Sequence, residues 1–566
     1  MKTDLLIIGS GSAGLHAAIN ADETADLDIM VISKGIFGKS GSTDLSTGAM
    51  EISFCSEEDN PHKHFLDTVR GGDYLNNQRL AETLTEKAIP CARKLEKLGF
   101  LFPRKGDEIH ARKVGGAKFA RATSIGDWAG SLLTKVLGKA VVRRDIRLIE
   151  EFMVTKILKS DDGKTCGVIG IDANSGEIET ISCKSIILAS GGLGAIYPYT
   201  TNPDRNTGDG YILALDAGAE LVDMEQVQFH PTGMVYPENR RGTLITEYAR
   251  GAGARLYNSE GERFMKRYSP EWMELDTRDE VARAIFSEHS EGRGGKHGGL
   301  LLDCRYIEED ERKRLLETAE KVKELSGIDI WEEPVEVLPS AHYFMGGVKI
   351  NADCETGVPG LYAAGEVAGG VHGGNRLGGN ALTDAMVFGT IAGKTAAQYI
   401  GGKKDSNKIP AKVIEKEKER IEEFRKSDGT EHPNKVRKEL QRIMWKNVSL
   451  VRSEDSLKNA RESLKKFKSE AFSNLISAQG GGKGRVLMTT LELKNLSRLG
   501  KLITKSAIKR KESRGAHFRE DFPKMNKGPV YNYVLNKTGS DEVKIRKKPI
   551  KITKSDPEED FENSKG

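Results

Sequence analysis

Asp4-Leu5-Leu6-Ile7-Ile8-Gly9-Ser10-Gly11-Ser12-Ala13-Gly14, followed at once by Leu15-His16-Ala17-Ala18-Ile19, is the stretch that decides the fold. The short apolar run predicts a strand buried on both faces of a parallel sheet. The glycine pattern then opens a helix, in the order strand, G-x-G-x-x-G, helix that a dinucleotide site requires. Gly9 allows the tight turn, Gly11 lets a pyrophosphate approach the backbone, and Gly14 lets helix and strand pack closely. Ser12 and Ala13 fall in the first helical turn, whose free N–H groups face the phosphates.

Working outward, Leu27-Asp28-Ile29-Met30-Val31-Ile32 predicts a second strand ending at Ser33-Lys34. A ribose-binding carboxylate normally stands there, and its absence argues against a generic NAD site. Ser33 is placed to donate to ribose, and Lys34 either contacts a phosphate or is solvated. Ser185-Ile186-Ile187-Leu188-Ala189-Ser190-Gly191-Gly192 is a further buried strand running into glycines, which puts Ala189 and Gly191 at the cofactor. Gly360-Leu361-Tyr362-Ala363-Ala364-Gly365-Glu366 is another, with Glu366 placed to accept hydrogen bonds from a ribityl or ribose hydroxyl. Thr207-Gly208-Asp209-Gly210 brings Asp209 to the same region. In this order the segments describe an FAD domain interrupted by an insertion.

Composition sets limits. A chain of 566 residues is too long for one core and implies roughly three to four domains. With 87 basic against 83 acidic residues the net charge is +4, which does not argue for nucleic acid. The six cysteines (Cys55, Cys91, Cys166, Cys183, Cys304, Cys354) form no C-x-x-C pair, so no iron–sulfur or zinc site of the chain's own is expected. Scattered cysteines favour a reducing cytoplasm. The first strand starts too early for a leader peptide, and no apolar run reaches the ~20 residues that span a bilayer. No direct membrane span is expected.

Four separated motifs converge on one ligand: Phe229-His230-Pro231-Thr232-Gly233, Leu244-Ile245-Thr246-Glu247 with Arg250, Thr277-Arg278-Asp279, and His372-Gly373-Gly374-Asn375-Arg376. With Ala341-His342-Tyr343 they offer histidines, a threonine and several arginines, a donor set suited to a doubly anionic molecule. The bland alternative makes Arg278 a surface partner of Asp279 or Glu280. Arg283 and Arg293 read as solvated, and Arg514 and His517 as packing or interface residues.

Over roughly residues 1–525 the chain resembles the flavoprotein subunit of succinate dehydrogenases and fumarate reductases. The segments that carry the likeness are Phe229 to Gly233, Leu338-Pro339-Ser340-Ala341-His342-Tyr343-Phe344-Met345-Gly346-Gly347, His372 to Leu382, and Lys511-Glu512-Ser513-Arg514-Gly515-Ala516-His517. The resemblance implies an α/β fold: a Rossmann-like FAD-binding domain with an inserted α+β capping domain and a C-terminal helical bundle. It implies that His230 and Thr246 hold one carboxylate of a small dicarboxylate, and His342 and Arg376 the other. Arg278 is then the proton donor, with Glu247 and Arg250 its relay, and reduced FAD N5 delivers hydride to fumarate, giving succinate. Ser40, Ser42, Thr43, Gly48, Arg376, Ala381 and Leu382 join the FAD contacts.

Membrane-complex members carry an Arg-Ser-His-Thr stretch whose histidine is bonded to the flavin. Lys39-Ser40-Gly41-Ser42-Thr43 has none, and with Ser42 taken as the equivalent position, non-covalent FAD is expected. A soluble fumarate reductase follows, fed by a separate iron–sulfur subunit from a thiol or quinol donor; the thiol-linked (CoM/CoB) archaeal type is one form. The alternatives are L-aspartate oxidase and a succinate dehydrogenase working in the oxidative direction. The expected domains are 1–234 with 341–400 (FAD-binding), 235–340 (capping), 401–530 (helical) and 531–566, a flexible or partner-wrapping tail. Gln479-Gly480-Gly481-Gly482-Lys483-Gly484 lacks the Ser or Thr of a P-loop and reads as an inter-helix loop.

Overall fold

The computed structural model describes all residues except 47–48, 54–58, 107, 113–117, 127, 402–408, 426–428, 473, 477–482, 540–541 and 556–566. Gly48, Cys55 and most of the glycine-rich loop at 479–484 therefore lie outside the described residues.

The opening strand Leu5–Ile8 is wholly buried and forms the middle of a five-stranded sheet. It pairs in parallel with Ile29–Ile32 on one side and Ser185–Leu188 on the other; Arg147–Ile149 and Leu361–Ala363 complete the edges. The glycine turn thus emerges where strand order reverses, the place where such sheets bind ligands. Gly9 has φ +119°, and a Cβ there would lie 2.1 Å from the Ala189 carbonyl oxygen. A Cβ on Gly14 would lie 1.9 Å from Gly9 O, so Gly14 is required by packing and not by a ligand. The helix Asn380–Gly401 crosses Ser12–Asp22 just as closely. Cβ atoms on its Gly389 and Gly393 would meet Ala13 O at 2.4 Å and Ala17 O at 2.2 Å.

A second, four-stranded sheet has the order Val227–Met234, Val335–Phe344, Leu300–Asp303, Arg255–Tyr257. Its own core includes Ile245, Phe264, Val281, Ile285 and Val337. The boundary expected at 340 falls inside the strand Val335–Phe344, which pairs with the other entry strand from Val227↔Phe344 to Met234↔Val337. The chain enters and leaves this sheet on adjacent strands, so residues at the two crossing points come together.

Past residue 430 the helices Pro433–Val448, Glu454–Glu470 and Lys483–Lys509 pack through Leu440, Leu457, Leu464 and Leu499. Leu457, Ala460, Leu464 and Phe467 are spaced for one helical face, and Ser453 with Ser456 caps that helix in both directions. The tail expected from 531 is corrected: Tyr531–Lys537 and Val543–Pro549 pair antiparallel and extend a five-stranded sheet containing Leu221–Val222. Val543 and Ile545 are half-buried while Lys544 and Arg546 are exposed. The strand period of two was hidden by the charge of its outer face. Among the described residues no helix is long and apolar enough to cross a membrane.

Candidate active site

One cavity of about 600 Å³ runs from the glycine turn to the space between the two main sheets. Every expected cofactor and substrate residue among the described ones lines it except Gly14.

At the substrate end, strand pairing brings the two histidines together. His230 and His342 stand on neighbouring strands with ring centroids 5.4 Å apart. His230 Nδ1 accepts the Thr232 N–H at 3.3 Å, and that residue's hydroxyl donates in turn to Ile245 O at 2.8 Å. An imidazole accepting at Nδ1 carries its proton on Nε2. His342 Nδ1 is hydrogen-bonded to Thr201 Oγ1 at 2.8 Å. Burial drives both imidazoles well below their ordinary pKa; Arg278 and Arg250 add to this at His230, and Arg376 does so at His342. Both rings are therefore neutral in the free site at pH 7.

Arg376 is 4% exposed. Its Nη2 donates to Gln228 Oε1 at 3.0 Å, its Nη1 to Leu377 O at 3.0 Å, and its guanidinium lies 4.7 Å from the Tyr343 ring centroid. Its Nε has no hydrogen-bond partner. Burial, with Arg278 next, brings its pKa down to about 10, so it stays charged at pH 7.

Arg278 opens the helix Arg278–Ser290. Its Nε donates to Glu247 Oε2 at 2.7 Å, its Nη2 reaches the same oxygen, and its buried Nη1 has no hydrogen-bond partner. Glu247 also lies 3.5 Å from Arg250, whose Nη1 donates to Glu274 O at 2.7 Å. Burial pulls the Glu247 carboxyl upward, but Arg278 and Arg250 prevail and hold it at about 2. The surface-partner reading of Arg278 is thus replaced by a partly buried Arg–Glu–Arg chain. Taken together, Arg278, Arg250, Arg376 and Glu247 carry two net positive charges in the cavity wall.

A scan against protein-family models matches an FAD binding domain over residues 4–382 and a fumarate reductase flavoprotein C-terminal domain over residues 437–561. The chain belongs to the fumarate reductase and succinate dehydrogenase flavoprotein family. It is 44% identical to a subunit of the CoM/CoB fumarate reductase of Methanothermobacter marburgensis, over 95% of this chain and 97% of that one. It is 34% identical to the fumarate reductase flavoprotein subunit of Mycobacterium tuberculosis, over 98% of each. The solved structure of Escherichia coli quinol fumarate reductase superposes with TM-score 0.92 at 31% identity, covering 98% of both chains. Adenylylsulfate reductase of Archaeoglobus fulgidus shares the fold alone, at TM-score 0.77 and 19% identity.

The cofactor end suits the FAD of this flavoprotein family. The N-cap residue of the helix Ser12–Asp22 is Gly11, the Ser12 N–H donates to Thr43 Oγ1 at 3.1 Å, and a Cβ on Gly11 would meet nothing but that same oxygen, at 3.3 Å. Glu366 accepts the Phe344 N–H at 3.1 Å. Burial, opposed by that N–H, pushes its carboxyl up to about 7.

Two expectations are corrected here. Lys34 is neither a free phosphate contact nor solvated: its Nζ donates to Thr207 Oγ1 and Asp209 Oδ2 and lies 2.7 Å from Glu492. Asp209 is correspondingly taken up by Lys34 and Asn495. Ser42 lines the cavity, and its Oγ accepts from Asn206 Nδ2 at 2.7 Å. A Cβ on the neighbouring Gly41 would meet no atom within 4 Å. Arg283 and Arg293 are not solvated. Arg283 pairs with Asp279 and Glu280, Arg293 with the buried Glu288.

Sequence reasoning missed Gln228, Thr201 and Asn206. Gln228 was within reach of the strand period, since it lies two residues before His230 and so on the same face. Thr201 and Asn206 lie in an irregular loop that carries no such signal.

Proposed function

We propose that this chain is the flavoprotein subunit of a fumarate reductase, holding FAD without a covalent link and taking electrons from a separate iron–sulfur subunit. The observation that carries the reading is the pair of net positive charges beside two neutral histidines, a match for a small dicarboxylate dianion. Arg376 meets one carboxylate with a planar fork, and the unpartnered Nε supplies a donor. His342, steadied by Thr201, adds a second. His230 donates from Nε2 to the other carboxylate, with Thr246 beside it.

Bound FAD supplies the hydride. Arg278 lines the cavity and holds a proton at the guanidinium, whose buried Nη1 has no hydrogen-bond partner. Loss of that proton from a group of such high pKa is feasible when another is passed in, and the Glu247–Arg250 chain is arranged to do this. Glu247 balances whichever arginine is charged, so no isolated ion remains in the interior. The inserted region contributes Thr246, Glu247, Arg250 and Arg278 to the cavity wall, so its placement over the cofactor completes the site.

A thiol pair as the ultimate electron source is supported by the 44% identity to the CoM/CoB relative. Non-covalent FAD is supported by Lys39-Ser40-Gly41-Ser42-Thr43, which offers no histidine to form a bond. A cytoplasmic setting is supported by the free state of the five described cysteines. The relatives do not favour the L-aspartate oxidase alternative. The test is anaerobic reoxidation of the dithionite-reduced, FAD-loaded protein. Rapid reoxidation by fumarate with succinate as product is expected. Inertness to fumarate combined with flavin reduction by L-aspartate would overturn the proposal. Acid precipitation that leaves the flavin in the supernatant checks the non-covalent link.

A further inference from the structure

The motif Arg514-Gly515-Ala516-His517-Phe518 has no part in the chemistry above, yet it touches what supports two of the cavity arginines, Arg376 and Arg278. Ala516 N donates to Gly374 O at 2.8 Å, and Gly374 N donates to Gly72 O at 2.7 Å. Gly374 lies two residues before Arg376. Gly515 N donates to Asp73 Oδ2 at 2.6 Å, and Arg514 Nη1 to Asp73 O at 3.0 Å. Asp73 and Tyr74 are consecutive left-handed residues, φ 49° and 59°, a conformation kept only where surroundings enforce it. Gly515 has φ +58°, and a Cβ on it would fall 2.4 Å from the Gly374 carbonyl carbon. Three loops therefore interlock with no room for side chains.

On its other flank the motif meets the inserted region. The Arg283 guanidinium lies 5.1 Å from the Phe518 ring centroid, and Arg283 is on the same helix as Arg278, five residues on. The motif is itself anchored. His517 is fully buried, with Nδ1 2.7 Å from Arg452 Nη1, and Arg519 donates to Ala507 O at 3.1 Å.

We infer that residues 514–518 are a positioning element: they fix the Arg376 loop through Asp73 and Gly374, and the Arg278 helix through Phe518 and Arg283. They thereby hold the carboxylate-binding Arg376 and the proton-holding Arg278 in register across the cavity. The inference rests on the dicarboxylate reading above. Small displacements matter at this distance from the chemistry, because both ends of a short rigid dianion must be met at once.

The test uses the full FAD-loaded chain, with succinate binding followed by calorimetry, fumarate turnover by anaerobic kinetics and FAD content by absorbance. Asp73→Gly removes the acceptor without backbone strain; it is expected to weaken succinate about tenfold or more at unchanged FAD content. Asp73→Asn keeps an acceptor oxygen and tolerates the left-handed backbone, so binding is expected within about twofold of the unsubstituted protein. Phe518→Leu is expected to lower kcat about three- to tenfold with succinate binding nearly unchanged, since Arg278 acts in the transition state. Equal binding by the glycine variant, or equal weakening in the glycine and asparagine variants, overturns the Arg376 half. Unchanged kcat in F518L overturns the Arg278 half, and this arm stands even if D73G fails to fold. Absence of succinate binding by the unsubstituted protein overturns the dicarboxylate reading, and the positioning role with it.

Discussion

Gln228→Leu tests the substrate site through a residue that touches no substrate in the mechanism above. The side chain is 2% exposed and makes three hydrogen bonds. Its Nε2 donates to Asn375 Oδ1 and Arg376 O, each at 2.7 Å, and its Oε1 accepts from Arg376 Nη2 at 3.0 Å. Leucine fills the same space and makes none. Arg376 then has both Nη2 and Nε without hydrogen-bond partners. The lost charge-assisted bond is worth about 1.5–3 kcal/mol, so if it is felt in ligand binding, Kd for succinate rises about 10- to 150-fold. Gln228→Glu keeps the volume and adds a carboxylate that competes for the guanidinium. It is expected to bind succinate more weakly than the leucine variant at neutral pH and to recover as the pH falls. Calorimetry on FAD-loaded protein is the assay, with flavin absorbance confirming equal loading. A leucine variant that binds within about threefold of the unsubstituted protein would refute the view that Gln228 aims Arg376.

Glu247→Gln removes a charge whose pairing lowers the carboxyl from 4.5 to about 2, an interaction of about 3 kcal/mol; kcat for fumarate is expected to fall about a hundredfold, and steady-state kinetics showing a near-normal rate would rule out the relay. Lys34→Met leaves Asp209 and Glu492 facing one another without the cation between them, which costs about 3–5 kcal/mol; a lowered melting temperature is expected, partly restored by adding Glu492→Gln, and differential scanning calorimetry decides. Burial, aided by Lys94, holds His16 at about 3 against 6.5 when unfolded. The unfolded chain therefore binds a proton the native one refuses, and stability is lost as pH falls through 6.5, by up to about 1.4 kcal/mol per pH unit for this one residue. A melting profile from pH 7 to 5 that is no shallower in His16→Gln would contradict the assignment.

Part of the site was legible because its signals are local. The strand, turn and helix at Leu5 to Ile19 follow from an apolar run and from glycines whose backbone positions admit no side chain. The residue types of the substrate end, from His230 through Arg278 to Arg376, could be read because each sits in a short distinctive motif. The edge strand Val543–Pro549 was missed for the opposite reason. Its alternation is real, but four of its seven residues are Lys or Arg, and composition masked the period.

By itself the sequence determined the nucleotide turn, the inventory of donors in the cavity and the helical character of the region after residue 430, all written in residues within a few positions of one another. Only the tertiary structure decided what those donors are bonded to. Gln228 aims Arg376 across 148 residues, and Gly515 meets Asp73 across 442. Lys34 is neutralised by Asp209 and by Glu492 from the C-terminal helix. Backbone periodicity and turn chemistry are properties of neighbours in the chain. Which buried charge finds which partner depends on the elements that packing brings face to face, because in the interior an ion must be compensated by whatever is adjacent in space.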